Sequence, residues 1–471
     1  MAEQSRRRVV LFPCPFQGHI NPMLQLATIL HTHSKGALSI IIVHTEFNSP
    51  KASNYPDFTF LPISDGLSHS QSNISVSDIV TFLPFLNEIC VSPFRDCLVN
   101  NILSQENEPP VACIISDALM YSTQAVADSL QLPRIALRTG SARNLAMFAA
   151  YPFLREKGYL PMKESAMEEQ IPGFSPLKVK DIPVIRNADI DAMCDLIGSM
   201  INCTKASSAL ILNSCNSLEQ SELVSLQKEF PFPHFAIGPF HKCSSMASSS
   251  LLVEDRSCIS WLDKQAPASV IYISFGSIAS VDEAQLVEIA LGIANSEQSF
   301  LWVLRPGLVV KSNKDEDSDI DLTKLLPQKF KDMMELHLHS GRGCIVKWAP
   351  QQEVLAHPSV GAFWTHNGWN STLESICEGV PMLCWPCFGD QMANARYVTE
   401  VWRVGFMLEN GLEHGEIERY IRRLMVKEEN TEREEMMTRV KDLKETTDLC
   451  LRNDGSSIKS LENLTDFIFA I

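Results

Sequence analysis

Short apolar runs alternate with helix-like stretches along this chain, pause once, and then begin again. Val9–Phe12 reads as a buried strand, followed by a Pro/Gly turn and a helix from about Ile20 to His33 that stops at Gly36. "LSIIIVH", Leu38–His44, is rich in β-branched residues and reads as the next strand. "VACIIS", Val111–Ser116, is another, closed by Asp117. Such alternation is what βαβ units produce, a parallel sheet covered by helices. The pattern breaks at 231–256, where proline-rich "PFPHFAIGPF" gives way to serine-rich "KCSSMASSSLLVED". It restarts with Val270–Phe275, Phe300–Leu304, Cys344–Trp348, Gly361–Trp364 and Val380–Trp385. At 471 residues the chain is too long for one ordinary core. The expectation is an α/β protein of two doubly wound domains, residues 1–240 and 257–450, joined by a linker at 241–256. A C-terminal segment, 451–471, is left to pack back on the first domain.

Composition narrows the function. With 45% hydrophobic and 20% charged residues the chain is of ordinary soluble, globular type. A formal charge of −16 argues against a sequence-independent hold on nucleic acid, but leaves room for a local anion pocket. No run approaches the roughly 18 apolar residues of a membrane span, and Val9–Phe12 is too short for a secretory core. The 14 scattered cysteines then read as reduced thiols of a cytoplasmic protein. Cys384-Trp-Pro-Cys387 has the spacing of a redox pair, yet it ends an apolar run, where cysteine also serves as a small core residue.

In open α/β sheets ligands bind beyond the carboxyl ends of the strands. Gly276 and Ser277 follow Val270–Phe275; Trp348 and Gln351 follow Cys344–Lys347; Gly389-Asp390-Gln391 follows Val380–Trp385. After Gly361–Trp364 comes "THNGWNSTLESICEG", a polar turn running into a helix. The first N–H groups of a helix lack intrahelical partners, so His366, Asn370 and Ser371 around that end suit a phosphate or diphosphate. Glu374, one turn further, suits a ribose diol; Trp348 suits a base; Asp390 and Gln391 suit sugar hydroxyls. Together these describe a nucleotide sugar.

The stretch Trp348–Gln391, "WAPQQEVLAHPSVGAFWTHNGWNSTLESICEGVPMLCWPCFGDQ", resembles the signature box of plant family 1 UDP-dependent glycosyltransferases in length, order and spacing. "PFQGHINPMLQLA" extends the resemblance to the first domain. "HTEFNSPKASNYPDF" and "REKGYLP" are similar to the branch acting on small hydroxy acids, cytokinins, flavonols and terpenoids. The resemblance implies a GT-B fold, two Rossmann-like domains facing across a cleft. It implies Trp348 on uracil with Ala349 beside it, and Gln351 and Glu374 at the ribose. His366, Asn370, Ser371 and Ser277 would hold the diphosphate, and Trp369, Asp390 and Gln391 the sugar, with glucose favoured by Gln391. UDP-glucose is then a co-substrate whose glucose passes to a small-molecule acceptor, with UDP leaving, on a monomeric enzyme that needs no cofactor or metal.

His19 lies in the turn after the first strand and Asp117 ends "VACIIS". By themselves they read more readily as a structural histidine and a helix cap. The resemblance makes His19 the general base and Asp117 the group that holds its imidazole. It places Thr139 near sugar and acceptor, and Gly18, Phe16, Met120, Tyr121, Phe148 and Phe388 around the acceptor or sugar pocket, each with core packing as the plain alternative. Arg138, beside Thr139, reads as structural or as a partner for an acceptor carboxylate. The D-x-D triplets of the acidic loop 311–321 are similar to a metal-binding element of some sugar-nucleotide enzymes, but read more simply as a solvated loop. Three other readings stand beside the main one. They are a different UDP-sugar, a nucleotide-sugar-binding protein without activity, and a nicotinamide oxidoreductase, which "PCPFQGH" disfavours because it lacks G-x-G-x-x-G.

Overall fold

The computed structural model describes residues 6–67, 78–185, 188–244, 250–309, 326–328, 330–332, 341–426 and 431–471. The acidic loop 311–321 and part of the serine-rich linker lie outside them. The chain divides into two compact units: Met1–Glu169 with Pro183–Leu251 and Thr447–Ile471, and Gln170–Ile182 with Leu252–Thr446. Among the described residues, no helix is long and apolar enough to cross a membrane.

The first unit is built on a seven-stranded sheet of β1 (Arg7–Phe12), β2 (Leu38–Thr45), β3 (Thr59–Ile63), β4 (Val111–Asp117), β5 (Arg134–Arg138), β6 (Ala209–Leu212) and β7 (His234–Ala236). Its order is β3-β2-β1-β4-β5-β6-β7, with every pair parallel. The continuous apolar runs follow from burial on both faces. Val9, Leu11, Ile40 and Ile42 enter one core with Ile20, Met23 and Leu24 of the helix Gln17–His33. Their neighbours Val10, Phe12, Ile41 and Val43 enter another with Phe82, Leu83 and Leu86 of the helix Ile79–Cys97. The C-terminal helix Ser456–Ala470 seals the first of these cores with Leu461, Leu464 and Ile468, and Ser457 Oγ donates to Gly238 O at 2.7 Å.

The second unit has six strands, β8 (Val270–Ser274), β9 (Ser299–Val303), β10 (Gly343–Val346), β11 (Val360–Thr365), β12 (Met382–Cys384) and β13 (Gly405–Met407). They run in the order β10-β9-β8-β11-β12-β13, again all parallel. Both sheets therefore reverse their winding once, between β1 and β4 and between β8 and β11, and each reversal opens a crevice at the carboxyl edge. Gln170–Ile182 belongs to this unit although the flanking sequence belongs to the other. Its Asp181 is buried against Arg396, with Nε–Oδ2 at 3.0 Å and Nη2–Oδ1 at 3.2 Å. The Arg396 Nη1 also donates to Glu400 at 2.7 Å and Glu409 at 2.8 Å.

The helices Glu283–Ser296 and His414–Met425 pack closely at Gly292, where an added Cβ would lie 2.4 Å from Ile417 Cγ2 and 3.1 Å from the His414 carbonyl. A helical Gly→Ala change ordinarily gains up to about 1 kcal/mol. Here Ile417 has no exposure and no room to yield, and overpacking costs about 1–3 kcal/mol. Gly292→Ala is therefore expected to lower the urea unfolding midpoint; a raised midpoint would show that the helices separate freely.

Candidate active site

Each reversal of winding carries one cluster of polar side chains. In the first unit the chain leaves β1, Phe16 takes the N-cap position of the helix Gln17–His33, and His19 falls in its first turn, with its N–H bonded to Phe16 O at 2.8 Å. Asp117 closes the neighbouring β4 and is 1% exposed. His19 Nδ1 lies 2.7 Å from Asp117 Oδ2, while Oδ1 accepts the Leu119 N–H at 2.9 Å. Asp117 thus both caps the turn after β4 and holds the histidine. An ionised carboxylate only accepts, so the hydrogen of the neutral ring is assigned to Nδ1, and Nε2 keeps its lone pair. Thr139, just after β5, places its Oγ1 3.1 Å from the same Nδ1.

Around this pair Phe16 is buried, with its ring edge-on to Phe82 and to His19 itself. Gly18 and Tyr121 are half-buried, and burial pushes the Tyr121 phenol up. Met120 has no exposed surface and belongs to the core beneath the sheet. Phe148 is buried under the Arg138 guanidinium, 5.1 Å from the ring centroid. Arg138 is itself buried and reaches Met200 Sδ at 3.6 Å, so the structure favours its structural reading.

In the second unit β8 and β11 end in register, Ser274 beside Thr365. Gly276 follows with φ +71° and Asn367 with φ +62°, so both loops turn sharply at the sheet edge. The His366 ring is wedged between two glycines. A Cβ on Gly276 would lie 2.6 Å from its Cε1, and one on Gly368 2.6 Å from its Nε2. Burial, with the nearby Arg305 second, pulls this imidazole down to about 4, so it is neutral at physiological pH. Gly368 opens the helix Trp369–Glu378 with no side-chain cap and no acidic residue in the first turn, and Gly379 closes it at φ +71°. That start carries roughly +0.5 of a charge. Ser277 and Asn370 are half-buried beside it and Ser371 is buried.

A hydrogen-bonded group continues along the helix. Gln351 Nε2 donates to Ser371 Oγ at 2.9 Å and to Glu374 Oε2 at 2.7 Å, while Tyr272 Oη donates to Gln351 Oε1 at 3.2 Å. Gln352 Nε2 donates to the other Glu374 oxygen at 2.9 Å. Burial pushes the Glu374 carboxyl up, against the opposing pull of these two amides. Half-buried Trp348 and buried Ala349 lie in the segment leading to Gln351, fixed by Asp255 N donating to Trp348 O at 2.8 Å. Trp369 is 4% exposed, its ring against Trp402. Gln391 Oε1 accepts from the N–H groups of Cys387 at 2.9 Å and Phe388 at 3.2 Å. Asp390 Oδ2 accepts from Asn394 at 3.4 Å, and Phe388 packs half-buried on the core.

Cys384 is a fully buried strand residue whose thiol burial pushes up to about 12, which argues against the redox reading. The helix bearing His19 begins at Gln17 rather than near Ile20, because Phe16 already ends the extended backbone. Gln352, Tyr272 and Arg305 were not among the expected site residues. The Gln351-Gln352 doublet was a usable sign for the first; the other two lie inside or beside apolar strand runs, where a polar atom reads as core.

A glycine-flanked helix start at one sheet edge and a carboxylate-held histidine at the other are what a group-transfer enzyme for a nucleotide sugar would need. Comparison with known proteins gives the family. Residues 67–442 match the UDP-glucoronosyl and UDP-glucosyl transferase family. The chain is 46% identical over 462 residues to UDP-glycosyltransferase 76B1 of Arabidopsis thaliana, covering 98% of each. It is 47% identical over 475 residues to UDP-glycosyltransferase 76G1 of Stevia rebaudiana, covering 99% of this chain and 98% of that one. Phytolacca americana UGT2, solved with UDP-2fluoro-glucose and pterostilbene, superposes with a TM-score of 0.78 at 26% identity, covering 98% of this chain and 99% of that one. The chain therefore belongs to the plant family 1 UDP-glycosyltransferases, has the GT-B fold, and uses a UDP-sugar to glycosylate a small molecule.

The wedged ring gives a direct test. Gly276→Ala forces a side chain into the left-handed region, at about 1–2 kcal/mol, and pushes the His366 ring out of its slot. UDP affinity by calorimetry is expected to fall about tenfold or more. Affinity kept within about twofold would mean that the ring position is irrelevant to the anion.

Proposed function

We propose that this enzyme transfers glucose from UDP-glucose to a hydroxyl or carboxyl of a small hydrophobic plant metabolite, with inversion at the anomeric carbon. The observation that carries the reading is the 2.7 Å contact between His19 Nδ1 and Asp117, which leaves Nε2 as a base beside the strand edge. In the reaction Nε2 takes the acceptor proton as the acceptor oxygen bonds to C1 of the sugar. The bond from C1 to the phosphate oxygen breaks on the opposite face, and UDP leaves with its electron pair. Asp117 stabilises the imidazolium that forms and keeps the ring oriented.

On the donor side, Trp348 stacks on uracil and Glu374, steadied by Gln351 and Gln352, accepts from the ribose hydroxyls. The helix start at Trp369, Ser371, Asn370, Ser277 and the neutral His366 receive the diphosphate and the charge that develops on it. These groups take the part of a metal, so turnover without added cation belongs to the proposal. Gln391, with its oxygen already committed, presents NH₂ to the sugar, and Asp390 accepts from it. Glucose as the sugar is supported by this pair and by the UDP-2fluoro-glucose bound by the Phytolacca relative.

UDP-glucose turnover against hydroxy acids, flavonols, terpenoids and cytokinins, read by mass spectrometry, tests the reading. A mass gain of one hexose is expected with at least one class, and preference for another UDP-sugar would overturn the assignment of glucose. His19→Ala is expected to lower kcat by about 10²- to 10⁴-fold with UDP-glucose affinity nearly unchanged. Near-normal turnover in that variant would remove His19 from the chemistry.

A further inference from the structure

Arg305 follows β9 and is only 6% exposed. Its Nε donates to Gly276 O at 2.8 Å, its Nη1 to Pro306 O at 3.1 Å, and its Nη2 to Ala279 O. All three acceptors are neutral carbonyls, and among the described residues no carboxylate pairs with it. Buried guanidinium groups are normally neutralised. Arg396, equally buried, meets Asp181, Glu400 and Glu409. Arg134 is bonded to neutral groups but still lies in the field of Asp117 and Asp128. Burial pulls Arg305 down to about 10, with the Cys387 thiol acting the other way, so it remains a cation at neutral pH.

Its position gives the charge a purpose. The Gly276 and Ala279 carbonyls are the two ends of the short loop that carries Ser277, so one planar group clamps both. The other side of Gly276 rests on the His366 ring, and the field of Arg305 reaches that ring. Guanidinium, loop, imidazole and helix start therefore lie in sequence at one edge of β8 and β11. We infer that Arg305 is a positioning residue of the donor site: it fixes the Gly276–Ala279 loop and supplies a buried positive charge whose counter-anion is the diphosphate of the UDP-sugar. This rests on the donor reading proposed above. A lysine keeps the charge but cannot span two carbonyls, whereas methionine keeps the bulk and loses both.

Calorimetry with UDP and with uridine separates the phosphate from the nucleoside. Arg305→Met is expected to weaken UDP by roughly 10- to 100-fold while uridine stays within about twofold, and Arg305→Lys to recover most of the difference. Should Arg305→Met fail to fold, Arg305→Gln, which keeps one donor for the Gly276 carbonyl, is read in the same way. Equal losses for UDP and uridine, unchanged UDP affinity, or a lysine variant as weak as the neutral one would each overturn the inference. Wild-type protein that binds uridine no more weakly than UDP would instead overturn the diphosphate assignment on which it rests.

Discussion

Every strand of both sheets runs parallel to its neighbours, so each delivers its carboxyl end to one edge. The polar clusters depend on this constraint. A parallel sheet leaves its chain only through crossovers, and where the winding reverses two adjacent strands depart in opposite directions and leave a gap. β1 with β4 makes that gap in one unit, and β8 with β11 makes it in the other. His19 and Asp117 flank the first; Gly276, Ser277 and His366 flank the second. Their sequence separation is large, 98 residues between His19 and Asp117, yet strand register alone brings them within reach.

The two gaps are furnished differently, in keeping with the tasks proposed for them. A base needs a free lone pair, partial access to solvent and a fixed ring; His19 has 21% side-chain exposure and a nearly buried carboxylate behind it. An anion cradle needs donors that do not have to reorganise. The glycines at 276 and 368 let backbone and imidazole close together, and burial keeps that imidazole uncharged. In the proposed donor site, the helix dipole and the Arg305 cation supply the positive potential. The amides of Gln351 and Gln352 hold Glu374 in a site whose burial would otherwise favour its neutral form.

How much of this was legible in the sequence followed from how local the cause was. β1, β2 and β4 were readable because both faces of each are apolar, as was the polar turn at 365–372, whose glycines and donors are contiguous. β3 was not: "TFLPI" contains a proline and only Ile63 is buried. β5 was hidden by Arg134 and Arg138 at its ends, which are buried only because distant groups receive them, Ser116 and Gln124 for the first and Met200 for the second. β7 lies in the proline-rich stretch that read as a break, and β13 is three residues long. The place of Gln170–Ile182 depends on Asp181 meeting Arg396, 215 residues away, which no local pattern announces. That Ser371 and Glu374 share one side was readable from the box, because spacing along one helix fixes it, and Gln351 meets both. The support of Glu374 by Gln352, and of the Ser277 loop by Arg305, comes from other elements and became visible only in three dimensions.

The central claim is that Asp117 makes His19 a base by holding the hydrogen on Nδ1. Asp117→Asn keeps the size of the side chain but can turn an NH₂ toward the ring, favouring the tautomer with its hydrogen on Nε2. Measured with UDP-glucose and an accepted acceptor, kcat in this variant should fall by about 10²- to 10⁴-fold, with the UDP-glucose dissociation constant unchanged. A kcat within about threefold of wild type would contradict the account, because the ring would then serve the reaction equally well without a carboxylate on Nδ1.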